Sequence, residues 1–191
     1  KCLTRFYAGR NHYFEMTSDA FFNHPDTPAL LEGGLDVAFV DGLHTYQQSL
    51  RDCENCLRHL SQNGVIILHD SNPLTRASAC SVADWRDEKR QQGFWKPDWA
   101  VCWNGTVWKT VLHLRTRSDL TVHTLACAQG VSLVQRIPST QPLPYTAQDI
   151  AEMTYADLEA DRSRLLGLIT KEYFSHWLKA LKPISAPHRP E

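Results

Sequence analysis

Two short apolar runs stand out along the chain: Leu35-Asp36-Val37-Ala38-Phe39-Val40 and Gly64-Val65-Ile66-Ile67-Leu68. Each ends in polar residues, Asp41-Gly42 after the first and His69-Asp70 after the second. Near-continuous apolar runs of this length predict strands covered on both faces, as in a parallel sheet. Between them, Leu50, Cys53, Leu57 and Leu60 repeat at helical spacing. That pattern predicts a helix from Thr45 to Gln62, capped by Thr45 and stopped at Asn63-Gly64. Strand, helix, strand at this spacing is a βαβ unit with a right-handed crossover.

The flanking segments extend the picture. Tyr13 to Met16 reads as a strand feeding Thr17-Ser18-Asp19, with a helix starting at Ala20, and Gly33-Gly34 turns the chain into the Leu35 strand. Ser78 to Gln92 is polar and charged and predicts an exposed helix ending before Gly93, while Gly105 to Arg117 is amphipathic. Leu120 to Cys127 and Val131 to Ile137, separated by Ala128-Gln129-Gly130, predict an antiparallel hairpin at one end of the sheet. Pro138, Pro142 and Pro144 mark a linker. Thr146 to Leu181 reads as helical, with a Thr154-x-x-Asp157 opening close to a capping box. The expected organisation is therefore an α/β domain over 1–137, a linker over 138–145, a helical extension over 146–181 and a loose tail over 182–191.

Composition narrows the function classes. The 191 residues are 42% hydrophobic, with Lys plus Arg 20 against Asp plus Glu 21. No basic excess points to a nucleic-acid backbone. The apolar runs are too short to cross a bilayer, and Lys1-Cys2-Leu3-Thr4-Arg5 does not open a signal peptide. A cytoplasmic protein is expected, with neither nucleic acid nor membrane as partner. Six cysteines are scattered at Cys2, Cys53, Cys56, Cys80, Cys102 and Cys127. Cys53-Glu54-Asn55-Cys56 has the spacing of half a zinc site or a redox pair. It lies on the apolar stripe of the predicted helix and has no completing motif, so it reads as buried packing.

The chemistry concentrates at the two strand ends. In an open parallel sheet, ligands bind beyond the carboxyl ends of the strands. If the two strands are neighbours, Asp41 and His44 from one meet His69 and Asp70 from the other. Two carboxylates facing one pocket repel, so they share a proton or recruit a cation. Mg²⁺ suits such an oxygen-rich set, and a histidine beside it is placed to take a proton from a substrate hydroxyl. The plain alternative is that Asp41 caps a helix and His44 bonds nearby backbone.

These residues carry a resemblance. Asp36-Val37-Ala38-Phe39-Val40-Asp41-Gly42-Leu43-His44-Thr45-Tyr46, then Asp52, then Asn63 to Asp70, is similar to the class I S-adenosylmethionine-dependent methyltransferases of the bacterial DGxH type. Met16 to Phe22 and Trp103 to Lys109 also look like this group, so the likeness spans about residues 13 to 136. It implies a Rossmann-like, mostly parallel sheet with helices on both faces and an antiparallel terminal hairpin. It implies His44 as general base for O-methylation of a small molecule or sugar. Asp41 would lie at the methionine end of the cofactor, and Thr17, Ser18 and Asp19 would lie in the segment near its adenine. It also implies Asp41 and Asp70 as metal ligands. Ser71 stands where catechol-type relatives have an Asn, and His69 then takes the place of that ligand. The family's glycine-rich loop belongs upstream of Tyr13, so the chain reads as an N-terminally truncated form of the domain.

Other features are weaker. Trp85, Trp95, Trp99, Trp103 and Trp108 fall in one third of the chain, read first as core and second as pocket wall or dimer face. Lys109 reads as a solvated helix charge. The tail helix, with Leu158, Leu165, Ile169, Tyr173 and Trp177, reads as packing, with a homo-oligomer contact as its functional alternative. The competing functions are a non-catalytic oligomerising or partner-binding module and, last, a metal-dependent hydrolase.

Overall fold

A computed structural model describes residues 12–81, 83–84, 103–127 and 129–180. Its centre is a five-stranded sheet in the order β1-β2-β4-β3-β5: Leu35–Val40, Leu60–His69, Val131–Gln135, Thr121–Leu125 and Leu168–Ile169. β1 pairs parallel to β2, β4 runs antiparallel to both β2 and β3, and β5 returns parallel to β3. Four of the five strands therefore point the same way and β4 alone opposes them. This is the expected α/β arrangement, including the hairpin.

Eight helices lie wholly within the described residues: α1 Ser18–Phe22, α2 Thr27–Leu30, α3 Tyr46–His59, α4 Val107–Thr116, α5 Ala147–Glu152, α6 Tyr155–Ala160, α7 Arg162–Leu166 and α8 Lys171–Ala180. α3 packs on β1 and β2, α4 packs on β3, and the two helices pack on each other. The residues between and beneath them form the core, with Cys53, Ile66, Val111, Leu112, Leu114 and Val134 fully buried. Strand alternation puts His123 and Gln135 on the other face. There the Tyr173 ring of α8 meets His123 at 5.5 Å and Trp177 Nε1 donates to Gln135 Oε1 at 2.9 Å. Helices thus lie on both faces. Phe39, on that second face beside His69, stays exposed.

The βαβ unit forms as its sequence pattern predicts, with one shift of boundary. α3 ends at His59, and β2 begins at Leu60 rather than after Asn63-Gly64. Leu35 pairs with Leu60, yet Val37 pairs with Val65, so residues 61–64 bulge out of the ladder. Gly64 is needed here for room, because a side chain would press on the Leu35 carbonyl and on Leu60.

Elsewhere the differences are local. Tyr13 to Met16 forms no strand and is exposed, and it pairs with no strand among the described residues. Ala77–Ala79 is a single 3-10 turn; the rest of the helix expected to end at Gln92 lies largely outside the described residues. Within the segment expected to be one helical extension, residues 146 to 180 are divided among four helices and the two-residue β5. Thr146 with Asp149 and Thr154 with Asp157 each close a capping box and start a new helix. Gly167, left-handed at φ 59, ends α7 and turns the chain into β5. Among the described residues no helix is long and apolar enough to cross a membrane.

Candidate functional site

The register of β1 and β2 decides the site. Val40 lies opposite Leu68, so the residues that follow each strand leave the sheet side by side. Asp41, His44 and Asp70 each bring a ligand atom into one group whose members lie within 4.8 Å of one another. His44 Nε2 stands 3.4 Å from Asp41 Oδ1 and 3.3 Å from Asp70 Oδ2. His69 Nδ1 lies 3.5 Å from Asp41 Oδ1 and 3.0 Å from Asp70 Oδ2, close enough for charge attraction. It is nevertheless misaligned for a hydrogen bond and remains a buried nitrogen without a hydrogen-bond partner. All four residues read from the strand ends are therefore neighbours.

Local backbone chemistry holds them. His44 Nδ1 is 2.8 Å from the Trp103 carbonyl oxygen. A carbonyl only accepts, so Nδ1 carries a proton, and Nε2 faces two carboxylates that also only accept. Two anions meeting there is an unfavourable arrangement unless a proton or a cation sits among them. The Trp103 ring packs at 5.4 Å from the imidazole. Gly105 is left-handed at φ 62 and lies against His44, where any side chain would strike the His44 carbonyl. That carbonyl in turn accepts from Thr106 N at 3.0 Å. Thr45 caps α3 through Gln48 N, so His44 sits just before a fixed helix start.

Asp70 is the only non-glycine residue with positive φ among those described, at 55°. Such a conformation costs an L-residue roughly 1–2 kcal/mol and persists only where the surroundings hold it. Asn104, fully buried, donates through Nδ2 to Asp70 Oδ1 at 3.1 Å and to the Gln129 carbonyl at 3.2 Å. With Oδ1 engaged, Oδ2 is the oxygen that faces His44 and His69. Ser71 is turned away from this cluster: its hydroxyl accepts from Ser132 Oγ at 2.8 Å, in a buried chain that continues to Thr124.

Beside Asp41 opens a cleft of about 680 Å³. Phe21, Phe22, Leu31 and Leu35 line its apolar side, and Thr17, Ser18, Asp19, Gln48 and Asp52 its polar side. Ser18 Oγ donates to the buried Asp52 Oδ1 at 2.7 Å, and Gln48 Nε2 donates to the same oxygen at 2.9 Å. Asp19 pairs with Arg51 at 3.3 Å, and Thr17 Oγ1 caps α1 through Ala20 N. Gln48, one turn from Asp52 on α3, joins the cleft wall only in the fold, although the i, i+4 spacing of the pair is a readable signal. Asn104 and the Trp103 carbonyl carried no such signal.

The remaining sequence candidates fall elsewhere. Cys53 and Cys56 are buried free thiols facing the core; desolvation pushes Cys53 far up and Cys56 to about 11. Lys109 is not a freely solvated charge: it donates to the Ala151 carbonyl at 2.7 Å, and burial lowers its pKa. Trp108 is a core residue. Trp85, Trp95 and Trp99 lie outside the described residues.

In open α/β sheets the crevice beyond the tips of adjacent parallel strands is where ligands bind, and the acids and imidazoles gather there. Residues 3–71, just over a third of the chain, match a family model described as Methyltransferase domain. The matched stretch contains β1, α3, β2, the polar wall of the cleft and all four strand-end residues. No curated protein and no solved structure matches the chain.

Proposed function

We propose that this chain carries a methyltransferase site that uses S-adenosylmethionine to methylate an oxygen on a small molecule or sugar. The observation carrying this reading is the convergence of the Asp41, His44 and Asp70 donor atoms within 4.8 Å at the rim of the cleft. The cleft volume falls within the usual range for small-ligand sites. Its apolar wall suits a flat base, the Ser18, Gln48 and Asp52 side suits hydroxyls and ring nitrogens, and Asp41 at the mouth suits a cationic end. When bound, S-adenosylmethionine supplies a methyl carbon that is already electrophilic, which leaves alignment and deprotonation to the protein.

His44 is the general base in this account. Its Nδ1–H is anchored on the Trp103 carbonyl, so Nε2 is the atom that takes the hydroxyl proton. Asp41 and Asp70 then stabilise the imidazolium that forms. Two carboxylates with a buried, unpartnered His69 nitrogen beside them also form a donor set that fits Mg²⁺. Asp41, Asp70 and His69 would hold it, and its chemistry would be to lower the pKa of the acceptor hydroxyl. A second reading makes His44 the third ligand, since its Nε2 belongs to the tight group; it cannot serve as ligand and base at once.

Isothermal titration of the chain with S-adenosylmethionine, with and without Mg²⁺, tests the proposal. Saturable binding that His44→Ala retains, with methyl transfer lost, fits the base. Loss of Mg²⁺ binding in the same variant would make His44 a ligand. No binding by the chain or by a version extended upstream removes the enzyme reading and leaves a non-catalytic partner-binding module.

A further inference from the structure

Asp70 holds a left-handed backbone, and the loop after it must be pinned for that to last. One side of the loop is tied to the β3–β4 turn: Asn72 N donates to the Gln129 carbonyl at 2.7 Å and Ser71 N to the Gly130 carbonyl at 3.4 Å. The other side is gripped from far along the chain. Arg162 Nη1 donates to Asn72 Oδ1 at 2.7 Å and to the Pro73 carbonyl at 2.6 Å. Arg162 Nη2 donates to Tyr155 Oη at 3.0 Å, and Tyr155 Oη donates to the Leu74 carbonyl at 2.9 Å. The guanidinium lies 5.5 Å from the Tyr155 ring centroid. Three consecutive loop residues are thus held by one planar cation and the phenol stacked with it.

We infer that Arg162, with Tyr155, is a positioning residue that fixes the Asn72–Leu74 loop and thereby the direction in which Asp70 presents its carboxylate. Among the described residues no carboxylate pairs with Arg162, so the guanidinium is spent on neutral acceptors in fixed directions. A planar fork can hold Asn72, Pro73 and Tyr155 together, whereas an ammonium on a flexible stem lacks that geometry. The segment after the proline-rich stretch then belongs to the site's machinery, beyond packing. The part of this inference that concerns cation binding rests on the proposed function.

The test compares Arg162→Ala, Arg162→Lys and Tyr155→Phe with the unaltered chain by amide hydrogen exchange, Mg²⁺ titration and thermal unfolding. In Arg162→Ala the Asn72 amide exchanges at least tenfold faster and Mg²⁺ affinity falls about tenfold, while amides of α3 and α4 keep their protection. Lys restores only part of both, and Tyr155→Phe gives a smaller change in the same direction. Unchanged Asn72 protection in Arg162→Ala overturns the inference. So does faster exchange spread evenly over the core, which would mark Arg162 as a general stability element. If the unaltered chain binds no Mg²⁺, the cation reading fails by itself, and Asn72 exchange still decides whether the clamp exists.

Discussion

Two groups of side chains with ligand chemistry flank α3, and they have opposite fates. Before its N-terminus, Asp41, His44, His69 and Asp70 meet at a cleft rim, partly open to solvent, with His69 Nδ1 lacking a hydrogen-bond partner. Within the helix, Cys53 and Cys56 have a spacing known from metal and redox sites but face the core, where burial keeps them as neutral thiols. Spacing along a chain counts for little unless the fold adds convergence and access. The parallel register of β1 and β2 gives both to the first group, while the apolar stripe of α3 removes access from the second.

The sharpest way to break this contrast is at His44. His44→Ala is expected to lower methyl transfer by roughly 10²–10⁴-fold, the usual weight of a general base, with the unfolding midpoint unchanged. A variant with undiminished turnover would leave His44 only its bond to nearby backbone. Next comes Asp70→Asn, which keeps a residue tolerant of left-handed backbone and removes only charge. Divalent-ion affinity should fall about tenfold or more, about 1.4 kcal/mol for each factor of ten, as read by titration calorimetry. Equal affinity in both forms would remove Asp70 from any cation site.

Gly105→Ala acts on both strain and space, because the new methyl meets the His44 carbonyl at a positive φ. A loss of about 1–3 kcal/mol in denaturant unfolding is expected, and a neutral result would mean the 103–106 turn does not press on His44. The smallest effect belongs to the thiols. Cys56 is raised in the folded state to about 11 from 9.0. Its contribution to stability is therefore complete below about pH 9 and is lost as pH rises through 11. Cys53 and Cys56 should resist alkylation at pH 8 in the native protein, as read by peptide mapping, and Cys56→Ala should flatten part of the fall in urea midpoint between pH 9 and 11. Rapid labelling of Cys53 or Cys56 at pH 8 would reverse the comparison.

Much of this was legible in the sequence, for a physical reason. β1, α3 and β2 are consecutive and strongly patterned, so their order and the residues at their tips follow from periodicity and the rule for parallel sheets. The supports were not legible. The Trp103 carbonyl reaches His44 across 59 residues, Asn104 reaches Asp70 across 34, and Arg162 reaches Asn72 across 90. Such bonds depend on how loops lie against one another, which no local pattern encodes. The early start of β2 was hidden because residues 61–64 are polar and bulge from the ladder. β5 was hidden because two residues carry no period.

The most direct measurement is a Mg²⁺ titration of ¹⁵N-histidine-labelled protein followed by NMR, with Asp70→Asn alongside. The account predicts saturable shifts of the His44 and His69 ring nitrogens in the unaltered chain, strongly weakened in the variant, with His113 and His123 unmoved. Ring signals of His44 and His69 that ignore millimolar Mg²⁺, or that respond equally in both proteins, would contradict it.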